Sequence, residues 1–132
     1  LTSFRGRWQV LSEKALVVCD TAHNEHGIAE VTKQLQARTN SGRLFCIMGF
    51  CEDKNIGQML SLMPKNAHYI FTRAQSRRAA SVDALVELGQ SLGLSCEGVD
   101  GVANAVEYAK SKLAADDTLF IGGSTFVVAE VL

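Results

Sequence analysis

Apolar runs of strand length alternate with segments of helical period along the chain. Trp8–Leu11 is a first short strand candidate, and Ala15–Asp20 (ALVVCD) reads as a buried, β-branched strand closed by a carboxylate. Gly27–Arg38 places Ile28, Val31 and Leu35 at helical spacing, and Asn40-Ser41-Gly42 breaks that helix. Arg43–Gly49 (RLFCIMG) is the next strand. Ile56, Met59, Leu60 and Met63 line one face of a short helix stopped by the single proline, Pro64. His68–Thr72 is a strand, and Ser81 is a plausible cap for a helix carrying Val82, Leu85, Val86 and Leu92. Leu94–Gly98 is a short strand. Asp100 is placed to cap the helix carrying Val102, Ala105, Val106, Ala109 and Leu113. Thr118–Gly122 is the last strand, and Gly123-Ser124 turns into a final helix, Thr125–Leu132.

Strands separated by helices of 10–15 residues require crossover connections and therefore a mostly parallel sheet. Uninterrupted apolar strands agree, because a parallel sheet is buried on both faces. The expected fold is α/β: a three-layer Rossmann-like domain, a mostly parallel sheet of about six strands with helices on both faces. There is no internal repeat, no low-complexity segment and no long linker, so residues 1–132 read as one domain.

Composition narrows the classes. Of 132 residues 47% are hydrophobic and 20% charged, an ordinary globular balance that excludes disorder. A net charge of -1 advertises neither nucleic acid nor anionic lipid. The longest apolar stretches, Ala15–Cys19 and Leu44–Phe50, fall far short of the roughly 20 residues that span a bilayer. Cys19, Cys46, Cys51 and Cys96 form no C-x-x-C pair, and three of them lie in or beside strand-like runs, which suits small hydrophobes in a reducing, cytoplasmic setting. With three scattered His, no metal site is expected. The chain opens Leu-Thr-Ser-Phe-Arg and closes on the apolar run Phe126–Leu132, so the expectation is a domain excised from a longer polypeptide.

Ligands of open parallel sheets bind beyond the carboxyl ends of the strands. Four polar clusters follow strands and are expected on one rim: Asp20 to Gly27, Gly49 to Asn55, Thr72 to Arg78, and Gly122 to Thr125. Two readings stand for Asp20: a carboxylate accepting both hydroxyls of a ribose, or a cap for the following helix. His23 can shuttle a proton or bind a carboxylate, or simply sit on an exposed loop. Asn24 and Asn55 suit helix caps. Arg73, Arg77 and Arg78 form a cationic loop fit for carboxylate or phosphate, or for solvent. Gly122-Gly123-Ser124 can cradle an anion or make a tight capped turn. There is no G-x-x-x-x-G-K-[ST], no G-x-G-x-x-G after a strand and no G-x-S-x-G. The chain has half of a nucleotide-and-anion site and no catalytic engine of its own.

These residues resemble a family. Gly6-Arg7-Trp8-Gln9-Val10 and Val17-Val18-Cys19-Asp20-Thr21-Ala22-His23-Asn24 resemble the G-R-x-Q-V and D-x-A-H-N patterns of folylpolyglutamate and dihydrofolate synthases, of the Mur ligase superfamily. Asp53-Lys54 is similar to the family's D-K-D loop, Thr72 through Ala80 to its T…P-R-A segment, and Gly123 through Val131 to its closing G-S-x-[YF] run. Glu25, Asn55 and Arg77 depart from the family's Pro, Asp and Pro. The resemblance implies the Mur-type C-terminal domain of an ATP-dependent ligase that joins L-glutamate to a folate or dihydropteroate carboxylate through an acyl phosphate. A central domain outside this chain would hold the phosphates and Mg2+. By matched position, Arg7, Asp20 and Asn24 would contact the nucleotide, and His23 would be the catalytic residue between nucleotide and reacting carboxylate. Lys54, Arg78 and Ser124 would form the glutamate pocket. A cytoplasmic monomer with no nucleic-acid or membrane partner is expected. The alternatives are the C-terminal domain of a Mur-type peptidoglycan ligase and a non-catalytic, receiver-like α/β binding module. A receiver would want an acidic pair after its first strand, whereas Asp20 stands alone.

Overall fold

The computed structural model describes residues 9–12, 16–38 and 42–132. In chain order these form β1 (Gln9–Ser12), β2 (Leu16–Cys19), α1 (Glu25–Arg38), β3 (Leu44–Met48), α2 (Ile56–Leu62), β4 (Ala67–Phe71), α3 (Val82–Ser91), β5 (Ser95–Gly98), α4 (Val102–Lys112), β6 (Thr118–Gly122) and α5 (Thr125–Val131). The strands make one six-stranded sheet in the order β1-β2-β6-β3-β4-β5. Neighbours from β2 to β5 are parallel, and β1 lies antiparallel on the edge. The expected three-layer, mostly parallel architecture is therefore observed. The break expected at Asn40-Ser41 and the strand residue Trp8 lie outside the described residues.

Side chains alternate across the sheet, and each face meets its own helices. Cys46, Met48, Tyr69, Phe71 and Phe120 pack under Ile28, Val31 and Leu35 of α1, Met59 and Leu60 of α2, and Leu85 of α3. Phe45, Ile47, Ile70, Leu119 and Ile121 pack under Val102, Ala105 and Ala109 of α4 and Val127 and Val128 of α5. Each large apolar side chain buried this way contributes roughly 1.5–3 kcal/mol against chain entropy. Tyr69, fully buried, donates its hydroxyl to the Pro64 carbonyl at 2.6 Å. Burial pushes the Cys46 thiol far above its ordinary range, so it serves as a small hydrophobe rather than a nucleophile.

Helix starts follow local capping chemistry at α1, α3 and α5, but not at α2 or α4. Ser81 accepts the Ala84 N–H at 3.2 Å, and Ser124 accepts the Phe126 N–H at 3.1 Å. Asn24 accepts the Gly27 N–H at 2.9 Å, which lets α1 begin at Glu25, two residues before the expected start at Gly27. Asp100 does not cap α4. Gly101 holds the cap position at φ +91°, a conformation glycine adopts cheaply, and no side chain accepts from the first turn.

At the end of the sheet opposite the ligand rim, buried Asp117 ties β3 to β6. Its carboxylate accepts the Arg43 N–H at 2.8 Å, the Arg43 guanidinium at 2.7 Å and the Ala114 N–H at 2.9 Å. The Arg43 hydrogen bond is the main cause holding its carboxyl down at a pKa of about 2.

Candidate functional site

Five parallel strands deliver their following loops to one rim. The ladder runs one residue past the strands there: Asp20 N–H donates to Ile121 at 3.2 Å, Gly49 N–H to Gly122 at 3.3 Å, and Thr72 N–H to Met48 at 2.9 Å. Beyond it the loops after β3 and β4 pair with each other. Cys51 and Ala79 form an antiparallel bridge, Glu52 N–H donates to Arg78 at 2.6 Å, and Ala80 N–H donates to Phe50 at 2.8 Å. This pairing brings Asp53 and Lys54 beside Arg78. Glycine is required where the rim closes: Gly123 has φ +91°, and a side chain there would lie 2.7 Å from the Gly49 carbonyl.

The rim encloses a cavity of about 250 Å³ lined by His23, Cys51, Lys54, Arg78, Ser124 and Phe126, among others. Four of the residues singled out from sequence, arriving on the loops after β2, β3, β4 and β6, thus meet at one place. The His23 Nδ1–H donates to the Thr21 carbonyl at 3.0 Å, which makes Nε2 the ring atom able to accept a proton. Arg78 donates to Asp53 at 2.8 Å, with both side chains more than half exposed. That hydrogen bond is the main cause holding the Asp53 carboxyl below the usual range. Lys54 is half-buried. Ser124 is buried with its hydroxyl at the start of α5. Among the described residues no Asp or Glu lines this cavity. Its chemistry is that of a carboxylate receptor: fixed cations, a hydroxyl and a basic imidazole.

Asp20 lies outside that lining. It is buried, and its carboxylate accepts the Ala22 N–H at 2.8 Å, shaping the turn that presents His23. Of the two sequence readings of Asp20, the helix cap is corrected, because Asn24 fills that role by lying immediately before α1. Asn24 thereby commits its side-chain oxygen to the fold. Asn55 sits at the cap of α2 without a side-chain cap bond. Arg7 lies outside the described residues.

The cationic loop read from sequence divides in the structure. Arg78 faces the cavity just described, whereas Arg73 and Arg77 line a second one of about 570 Å³. Gln75 N–H donates to Glu130 of α5 at 2.6 Å, pinning the loop between them. Sequence reasoning gave no site role to Cys51 or Phe126, and singled out Asp53 only as part of the D-K-D-like loop. Phe126, 42% exposed, lines the cavity beside Ser124. Cys51 is placed by a loop-to-loop bridge that no periodicity announces. Among the described residues no group of three or more His, Cys, Asp or Glu is placed to hold a metal ion. Among them, too, no helix is long and apolar enough to cross a membrane.

Comparison with known proteins bears on this geometry. The family model described as Mur ligase, glutamate ligase domain, matches residues 6–125. The dihydrofolate synthase/folylpolyglutamate synthase of Escherichia coli K12 is 30% identical over 129 residues, covering 96% of this chain and 29% of that protein. The solved structure of E. coli FolC in complex with DHPP and ADP superposes with a TM-score of 0.86 at 29% identity, covering 97% of this chain and 30% of that one. A bifunctional folylpolyglutamate synthase/dihydrofolate synthase solved with Mn, AMPPNP and L-glutamate bound gives 0.85 at 28% identity, covering 98% of this chain and 31% of that one. The chain thus spans under a third of the length of these relatives. A match over nearly its whole length, on a fold that gathers the motif residues at one rim, means that this chain belongs to the family of Mur ligase glutamate ligase domains.

Proposed function

We propose that the chain is the C-terminal, amino-acid-binding domain of an ATP-dependent folylpolyglutamate/dihydrofolate synthase, acting as one jaw of a two-domain site. The convergence of His23, Lys54, Arg78 and Ser124 on one cavity carries this reading. The other jaw, a central domain on the longer polypeptide, holds the ATP phosphates and Mg2+, for which this chain offers neither a phosphate loop nor an acidic cluster among its described residues.

In this reading the folate-side carboxylate takes the γ-phosphoryl group of ATP, giving an acyl phosphate and ADP. The amine of L-glutamate attacks the acyl carbon, the carbon–oxygen bond to phosphate breaks, and the nitrogen loses a proton. Arg78 and Lys54 hold the glutamate carboxylates as fixed cations. Ser124 adds its hydroxyl at the start of α5. The amine must be neutral to attack, and the cations lining the cavity favour that form. His23, with Nε2 available, accepts the proton released. By matched position Arg7, Asp20 and Asn24 contact the nucleotide, Arg7 and Asp20 at the ribose. Closure of this domain on the central one completes the site once both substrates are bound. The enzyme works in the cytoplasm as a monomer.

The test is ADP release by the longer polypeptide. Release that requires both L-glutamate and a folate or dihydropteroate acceptor is expected, with none from the 132-residue chain alone. Turnover by this chain alone, or by the longer one only with a peptidoglycan precursor, contradicts the proposal.

A further inference from the structure

The second rim cavity, of about 570 Å³, is lined by Arg73, Ser76, Arg77, Asp100, Gly101 and Asn104, among others. It lies over the ends of β4 and β5, next along the sheet from the first cavity. The two cavities share a wall at consecutive residues, Arg77 on one side and Arg78 on the other. Arg78 is paired with Asp53, but the exposed guanidinium groups of Arg73 and Arg77 have no ion-pair partner among the described residues. The backbone of the loop carrying them is tied to α5 by the Gln75 N–H donating to the Glu130 carboxylate at 2.6 Å.

The two cavities differ in one chemical respect. Among the described residues no Asp or Glu lines the first, whose nearest carboxylate, Asp53, is already paired with Arg78, whereas Asp100 lines the second together with two arginines. Two cations and one anion complement an amino-dicarboxylate in its resting form, with two carboxylates and a protonated amine. The first cavity complements the same molecule only after its amine has lost the proton. Asn104, which donates to the Asp100 carbonyl at 3.2 Å, fixes the backbone on the Asp100 side.

We propose that the Arg73–Arg77–Asp100 cavity is a second binding site for L-glutamate, holding the ammonium form next to the pocket where the neutral amine reacts. This rests on the first cavity being the amino-acid pocket. Its surface is open, so binding there is weak, in the millimolar range of about -4 kcal/mol.

Backbone amide shifts of the 132-residue chain, titrated with L-glutamate and with glutarate, test it. Gly101 and Asn104 report the second cavity, and Gly123 and Ser124 report the first. L-Glutamate is expected to shift Gly101 and Asn104 with about tenfold higher affinity than glutarate, which lacks the ammonium group. Asp100→Asn is expected to erase that difference, and the double variant Arg73→Ala/Arg77→Ala to abolish the Gly101 response while Ser124 still titrates. Silence at Gly101 and Asn104, or equal affinities for the two ligands in the unaltered chain, overturns the second site. The pocket itself is tested separately by glutamate-dependent ADP release from the longer polypeptide, so the two failures are read in different experiments.

Discussion

Asp20 uses one carboxylate for two purposes in this account. One oxygen holds the Ala22 N–H, and the group as a whole is proposed to accept ribose hydroxyls. Asp20→Asn keeps an oxygen for Ala22 but replaces the other acceptor with a donor. In the longer enzyme, ATP affinity is expected to fall about ten- to a hundredfold, the worth of one charge-assisted hydrogen bond, with little change in Tm. Unchanged affinity with a lowered Tm returns Asp20 to a purely structural role. Gly123 is the other residue on which the rim depends. Gly123→Ala forces a side chain into φ +91° and to within 2.7 Å of the Gly49 carbonyl. A loss of about 1–3 kcal/mol in urea unfolding is expected. The Gly-Gly-Ser turn was legible in the sequence, but the carbonyl that makes its second glycine obligatory comes from a residue 74 positions earlier.

At the scale of elements, apolar period placed every strand and helix among the described residues, because each of them obeys local rules. The misses are where tertiary geometry chose between local options. Asp100 is a good capping residue by type, yet the positive φ of Gly101 moved the cap one position on. β1 carries nothing in its short pattern to set it antiparallel on the sheet edge. The Arg43–Asp117 tie between β3 and β6 likewise joins residues 74 apart and leaves no sequence signal. It makes a pH prediction. The folded-state pKa of Asp117, about 2, lies below the ordinary carboxyl value. Its contribution, roughly 2 kcal/mol, is therefore fully present above about pH 4 and disappears as the pH falls through about 2. The stability gap between the native chain and Asp117→Asn should be constant near neutrality and close below pH 4. A gap that persists unchanged at pH 2 contradicts this assignment.

For the whole molecule, strand order decides what the rim can do. β6 returns to the middle of the sheet, between β2 and β3, and so carries Ser124 between His23 and Lys54. Periodicity reveals parallel strands but not their order, so the four clusters were legible as rim residues and not as neighbours. Family resemblance supplied their joint role, and the paired loops after β3 and β4 supply the physical reason Lys54 and Arg78 meet. The central claim is that this rim receives glutamate rather than merely closing over a nucleotide. Steady-state kinetics of Arg78→Ala in the longer enzyme test it most directly. The account predicts a KM for L-glutamate raised at least about tenfold with the KM for ATP within about twofold, since a carboxylate loses one charge-assisted partner. Equal increases for both substrates, or none for glutamate, would contradict it.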